Sequence, residues 1–112
     1  MINQKDQLEQ AARCLKAMAH PTRLMILHLL SGSEQSVGEL EKLLEVSQAN
    51  LSQHLAILRS KGVVNTRRDG NNIYYSISNM KIIQAYDLIS EVLQESFQNK
   101  HDTVVEAMEG NS

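Results

Sequence analysis

Uncharged hydrogen-bonding side chains are concentrated between Val46 and Arg59, in a stretch with helical spacing. Leu51, Leu55 and Leu58 recur at the interval of an α-helix and form an apolar stripe. An ordinary surface helix would have lysine and glutamate outside that stripe. Here the positions are Gln48, Asn50, Ser52, Gln53 and His54. Amides and hydroxyls grouped at a helix N-terminus suit contacts to base edges and phosphates in a DNA major groove.

A β-hairpin is predicted directly after this helix. Gly62 is typical of the position just past a helix end. Residues 63–68 and 73–77 are rich in β-branched and aromatic side chains, and the turn signal Asp-Gly-Asn-Asn separates them. A hairpin in this position is the wing of a winged helix-turn-helix.

Basic residues are clustered between the helix and the hairpin. Residues 59–68 contain Arg59, Lys61, Arg67 and Arg68 and no acid, although the whole chain has a net charge of −2 and a pI near 6.0. A local basic face can attach to DNA even when the whole chain is acidic. We expect Arg67 and Arg68 to contact phosphate or the minor groove, with unequal roles, since neighbours in a strand point to opposite faces. An ordinary solvated hairpin is the alternative.

A second short helix is predicted upstream, over residues 36–44. Ser36 and Glu39 have the spacing of a capping box. Three residues, 45–47, link it to the polar-faced helix. Ser47 is a good N-cap for that helix, and we expect it to contact DNA together with the polar residues that follow it. The order of helix, tight turn, polar-faced helix and basic hairpin predicts a winged helix-turn-helix. The predicted fold is mainly α, with about five helices and a two-stranded wing.

The length indicates one small domain over residues 1–112, because 112 residues are enough for one hydrophobic core and too few for two. It lacks a long apolar run and an apolar N-terminal segment, so we expect no membrane span or signal peptide and a cytoplasmic location. Helices at about 5–19 and 80–97 have more apolar side chains than one core requires, and we expect them to form a homodimer interface. The order of the 99–112 tail is left open.

Four segments together resemble the ArsR/SmtB family of bacterial winged-helix regulators, over about Ala11 to Leu93. They are Leu15–Leu27, Val37–Leu40, Ser47–Leu58, and Gly62–Val64 with Tyr74–Tyr75. The chain is most similar to the branch that contains HlyU, BigR and NolR. The resemblance implies a dimeric regulator that binds double-stranded operator DNA and usually represses. Two recognition helices about 34 Å apart would then meet successive major grooves of an inverted repeat.

The sensor positions of the family are occupied here by residues that do not suit the family's ligands. The positions of the paired cysteines on the third helix fall on Ser36 and Gly38. Those of the last-helix metal site fall near Asn79, Lys81, Val92 and Glu95. Those of the dithiol switch fall on His28 and Gln94. Most of these side chains are poor or impossible metal ligands, and none is a thiol. The resemblance therefore implies no metal cofactor and leaves the inducer unknown.

Several single residues have two interpretations. Cys14 is either a buried small hydrophobe or a redox-active thiol near the dimer seam. We expect His28 to be a core or interface histidine. His54 either lies at the DNA surface or bonds to the protein backbone. His101, Asp102 and Glu106 form either a solvated helix end or a weak metal cluster.

No familiar catalytic motif occurs in the sequence. There is no Gly-rich phosphate loop, HExxH motif or nucleophile elbow. We therefore expect no enzyme activity. The alternatives to a repressor are a protein-interaction module, or antirepressor, that displaces another DNA-binding protein, and a redox sensor that acts through Cys14.

Overall fold

The computed structural model describes the backbone of residues 3–110 and the side chains of residues 3–98. Within these residues it has five helices and three strands. The helices are α1 Gln4–Met18, α2 Pro21–Leu30, α3 Val37–Leu44, α4 Gln48–Ser60 and α5 Lys81–Gly110. The strands are β1 Gln35–Ser36, β2 Val64–Asp69 and β3 Asn72–Ile77. This is the predicted winged helix-turn-helix order, with a last helix that continues beyond residue 97.

The wing is part of a three-stranded antiparallel sheet rather than an isolated hairpin. The strand order is β1-β3-β2, with Ser36 opposite Tyr74 and Tyr74 opposite Arg67. Gly70 takes a φ of 63° in the β2–β3 turn, a left-handed conformation that glycine adopts without steric cost. The prediction missed β1, because a strand of two residues is too short to show an alternating pattern.

Side-chain caps fix where the helices of the DNA-binding unit begin. The Ser36 hydroxyl accepts from the Glu39 amide at 3.1 Å and the Glu39 carboxylate accepts from the Ser36 amide, which confirms the capping box. Ser47 accepts from the Asn50 amide at 3.2 Å and caps α4 as predicted. Between them, Glu45 ends α3 with a φ of 54°. This left-handed residue makes the tight turn of the helix-turn-helix.

The core lies between α2, α3, α4 and the start of β2. Its most deeply buried side chains are Ile26, Leu40, Leu51, Leu55, Leu58, Val63 and Val64. Only one side of α2 contributes to this core, since Ile26, Leu27 and Leu30 are buried while Met25 is 50% exposed. His28 is also exposed, so it is not a core histidine of this chain. It lies on the outward side of α2.

The chain divides into two compact units, at Met80. The first contains α1 to β3, and the second is α5 alone. Both units have exposed apolar side chains: Leu8 and Leu15 on α1, and Leu88, Ile89, Val92, Leu93 and Phe97 on α5. Within the described residues, no helix is both long and apolar enough to cross a membrane.

Candidate nucleic-acid interface

Helix α4 has one buried face and one exposed face. Leu51, Leu55 and Leu58 are 0%, 1% and 0% exposed, which confirms the predicted apolar stripe. At about 100° per residue, Gln53 lies on the side of the helix opposite Leu51. The leucines therefore anchor α4 in the core and direct its polar residues outward.

The outward face of α4 has uncharged polar side chains along its first two turns. Gln48, Asn50, Ser52 and Gln53 are all exposed, as is the capping residue Ser47. Their amides and hydroxyls offer both donors and acceptors, the chemistry that distinguishes base pairs in the major groove. The structure thus leaves all four predicted base-contacting residues exposed.

His54 differs from its neighbours because its ring faces the protein. The ring lies against His20, with centroids 4.5 Å apart, and its Nδ1 is buried without a hydrogen-bond partner among the described residues. Burial lowers the pKa of His54 below its usual value, and electrostatic interactions with His20 and Arg23 lower it further. The geometry favours a role in packing α4 against the start of α2, and the predicted contact between His54 and DNA stays a prediction.

The arginines at the end of α4 and in the wing are exposed, but their surroundings differ. Arg59 borders a groove together with Ser52 and Tyr75, so the end of α4 and strand β3 enclose one surface. Arg67 is bonded to Glu34 and lies 4.7 Å above the ring of Tyr74. Arg67 is therefore held by its own chain, and the unequal roles of Arg67 and Arg68 in DNA contact stay a prediction.

Comparison with known proteins places this geometry in a family. A model of the arsR family of bacterial regulatory proteins matches residues 20–66, which span α2 to the middle of β2. The transcriptional activator HlyU of Vibrio cholerae is 46% identical over 80 residues, or 71% of this chain and 74% of HlyU. The chain belongs to the ArsR family.

Other ArsR-family proteins support the same assignment. The biofilm growth-associated repressor of Agrobacterium fabrum is 46% identical over 72 residues, covering 64% of this chain and 62% of the repressor. The homodimeric winged helix-turn-helix DNA-binding domain from Mycobacterium bovis superposes with a TM-score of 0.78 at 31% identity, over 88% of this chain and 93% of that domain. The chain is therefore a DNA-binding transcriptional regulator of the ArsR family.

The family sensor positions lie outside the polar face of α4. The Ser36 hydroxyl is occupied as the cap of α3, and His28 and Gln94 are exposed. Cys14 is half-buried on α1. Among the described side chains no three histidine, cysteine, aspartate or glutamate residues are grouped in a way that could hold a metal ion. His101, Asp102 and Glu106 lie outside the residues whose side chains are described.

Sequence reasoning missed three residues that shape this ArsR-family interface. Glu34 bonds to Arg67, Tyr74 lies beneath the same guanidinium, and His20 packs on His54. Glu34 and Arg67 are separated by 33 positions, so no local pattern links them. The alternation along β3 offered a weak signal for Tyr74, because that strand was predicted to pair with the one containing Arg67.

Proposed function

We propose that this chain is a homodimeric repressor that binds an inverted-repeat operator through α4 and the wing. The observation behind the proposal is the exposed set Gln48, Asn50, Ser52 and Gln53, held outward by fully buried leucines. These four side chains are exposed and form no hydrogen bond with another side chain in the described range 3–98, whereas base edges offer matching donors and acceptors. Contacts to bases supply specificity, and contacts to phosphates supply affinity and orientation.

Exposed apolar side chains support the dimer. Leu8 and Leu15 of α1 are 65% and 56% exposed, and Leu93 and Phe97 of α5 are 63% and 74% exposed. Rows of large apolar side chains on two helices are typical of a surface that packs against another molecule. The M. bovis domain, which matches over most of its length, is homodimeric. A second copy of this chain is the partner that we propose for these helices.

Repression is the sign of regulation that we propose. A dimer bound across a promoter blocks polymerase without any further activity, so DNA binding alone is enough. Relatives include both an activator and a repressor by name. In vitro transcription from a promoter that contains the operator separates the two, because a repressor lowers transcript yield as protein is added and an activator raises it.

Selection of duplexes from fragmented genomic DNA, followed by footprinting, tests the DNA-binding proposal. We expect a protected inverted repeat with half-sites about one helical turn apart, and a dimer by light scattering without DNA. A stable monomer that binds a single half-site tightly would contradict the proposal. The antirepressor alternative predicts instead that no duplex is enriched over random DNA.

We also propose that DNA release does not use the familiar metal or dithiol sites of the family. Ser36 and Gly38 stand where a thiolate pair would be needed, and the sequence contains only Cys14 as a thiol. Operator affinity should therefore be insensitive to zinc, cadmium and arsenite, in both the wild type and Cys14→Ser. Any response to an oxidant should vanish in Cys14→Ser. Release of the operator by zinc in that variant would reveal a different metal site.

A further inference from the structure

One of the two wing arginines is held by its own chain. Arg67 Nε donates to Glu34 Oε2 at 3.3 Å, and a second guanidinium nitrogen donates to Glu34 Oε1. This fork matches the two oxygens of a carboxylate and fixes the orientation of the guanidinium as well as its position. The hydrogen bond lowers the pKa of the Glu34 carboxyl group and raises the pKa of Arg67. Arg67 is therefore oriented before any DNA arrives.

The Glu34–Arg67 pair connects the wing to the helix-turn-helix. Glu34 directly precedes β1, and Ser36 at the end of β1 caps α3. Across the sheet, Ser36 lies opposite Tyr74 of β3, and Tyr74 lies opposite Arg67 of β2. The ion pair thus spans all three strands. It ties the outer strand of the wing to the residues that begin α3.

Two further groups surround the guanidinium of Arg67. The ring of Tyr74 lies 4.7 Å from the guanidinium carbon, and the Asp69 carboxylate lies 3.8 Å from one of its nitrogens. Two carboxylates therefore face one guanidinium, so the cluster of Glu34, Asp69 and Arg67 has a net charge of about −1 at neutral pH. A DNA phosphate that approached Arg67 would find its Nε and Nη2 edge held by Glu34 and would meet the negative charges of Glu34 and Asp69 at the remaining donors.

Arg68 has the opposite surroundings. It is the next residue in β2, so its side chain leaves the other face of the strand, at the position opposite Ile73. The side chain is exposed and forms no ion pair with any residue in the described range 3–98. A phosphate that approached Arg68 would meet an uncompensated positive charge.

We propose that Arg67 is a positioning residue that holds the wing against the helix-turn-helix through Glu34, and that Arg68 supplies the wing's phosphate contact. This inference rests on the proposed DNA-binding function and assigns different parts of it to two adjacent residues. It predicts that the ion pair, rather than the charge of residue 67, is what DNA binding requires.

The test measures the affinity of variants of the 112-residue chain for a duplex of random sequence as the salt concentration is varied. The logarithm of affinity falls with the logarithm of salt by about 0.9 for each phosphate contact in B-DNA. Arg68→Gln should reduce this slope by about 0.9, which shrinks the affinity ratio between about 50 and 200 mM salt roughly 3.5-fold. The charge-balanced variant Glu34→Gln/Arg67→Gln should keep the wild-type slope, even where its affinity is lower.

A charge swap provides the second arm. Arg67→Glu alone should weaken binding, and Glu34→Arg/Arg67→Glu, which can form the pair in reverse, should recover affinity to within about twofold of the wild type. If Arg67 itself contacts phosphate, the swap stays as weak as Arg67→Glu, and the charge-balanced variant loses about 0.9 of slope. Either of those results would overturn the assignment. Circular dichroism melting of each variant verifies that it is folded.

The wild-type arm separates this inference from the proposed function. If the wild type binds neither random nor selected duplexes, the DNA-binding proposal fails, and the assignment of the two arginines fails with it. If the wild type binds with a normal salt slope but the swap is not rescued, the assignment alone fails.

Discussion

Helix α4 and the wing both belong to the exposed surface of the DNA-binding unit, but they expose opposite kinds of chemistry. Between Gln48 and Leu58 the exposed side chains are amides, a hydroxyl, two alanines and Ile57, and His54 is the only ionisable residue in this stretch. The wing has adjacent arginines on a short hairpin, one of them compensated by Glu34. Neutral donors and acceptors discriminate between bases, while uncompensated cations attract any phosphate.

Specificity and affinity can therefore be located on separate elements of one small unit. Helix α4 has a buried leucine stripe that fixes its outward face, so its polar groups have defined directions. The wing is exposed on most of its surface and is aligned by strand pairing and by one ion pair. Substitutions in α4 and substitutions in the wing should therefore have effects on DNA binding that can be measured separately.

The largest effect should come from removing the anchor of α4. Leu55 is 1% exposed, so Leu55→Ala should lower the free energy of unfolding by about 2–5 kcal/mol through lost burial and a residual cavity. Urea unfolding at one fixed protomer concentration measures this loss. The control is Ile57→Ala on the same helix, since Ile57 is 38% exposed and should cost much less. Equal losses would mean that α4 is not anchored by the leucine stripe.

A smaller effect is expected from the cation at the end of α4. Arg59 is exposed beside the groove that includes Ser52, so Arg59→Gln should reduce the salt slope by about 0.9 on random and operator duplexes alike. Lys5→Gln on α1 removes the same charge from another element and should leave the slope unchanged. An equal fall in both variants would indicate a general effect of net charge.

The smallest expected effect is on the pH dependence of stability, through the packing of His54 between α4 and the start of α2. The pKa of His54 is lowered by burial and by His20 and Arg23, so the unfolded chain binds a proton at a higher pH than the folded chain does. Stability should consequently fall as the pH drops below 6.5, the usual value for histidine. His54→Asn should flatten this dependence in urea unfolding. The exposed control His28→Asn should retain it, and identical curves for wild type and His54→Asn would refute the explanation.

Much of this fold could be predicted because local signals agreed with the tertiary structure. The capping residues Ser36 and Ser47 and the leucine spacing of α4 each determine local geometry through nearby atoms. The turn at Gly70 does the same for the hairpin, where a positive φ is required. Signals of this kind are present in the sequence itself, which is why the helix-turn-helix and hairpin are confirmed.

The remaining features depend on residues far apart in the chain. The pairing of β1 with β3, the bond from Glu34 to Arg67 and the contact of His20 with His54 all form only after the chain has folded back on itself. His28 shows the same limit, because its apolar neighbours in sequence gave no indication that it would lie on the exposed side of α2. Because nearly every residue around His28 is apolar, the local sequence does not show which side of α2 faces the core.

The division of labour between α4 and the wing is tested most directly by the ratio of operator affinity to random-duplex affinity. Gln53 is exposed and lies opposite the core face of α4, so Gln53→Ala should cost about 1–3 kcal/mol on the selected operator, roughly 5- to 150-fold, with little change on random DNA. Gln10→Ala on α1 is the matched control and should leave both affinities unchanged. The ratio should fall for Gln53→Ala and not for Arg68→Gln. Equal weakening of operator and random DNA by Gln53→Ala would contradict this division of labour.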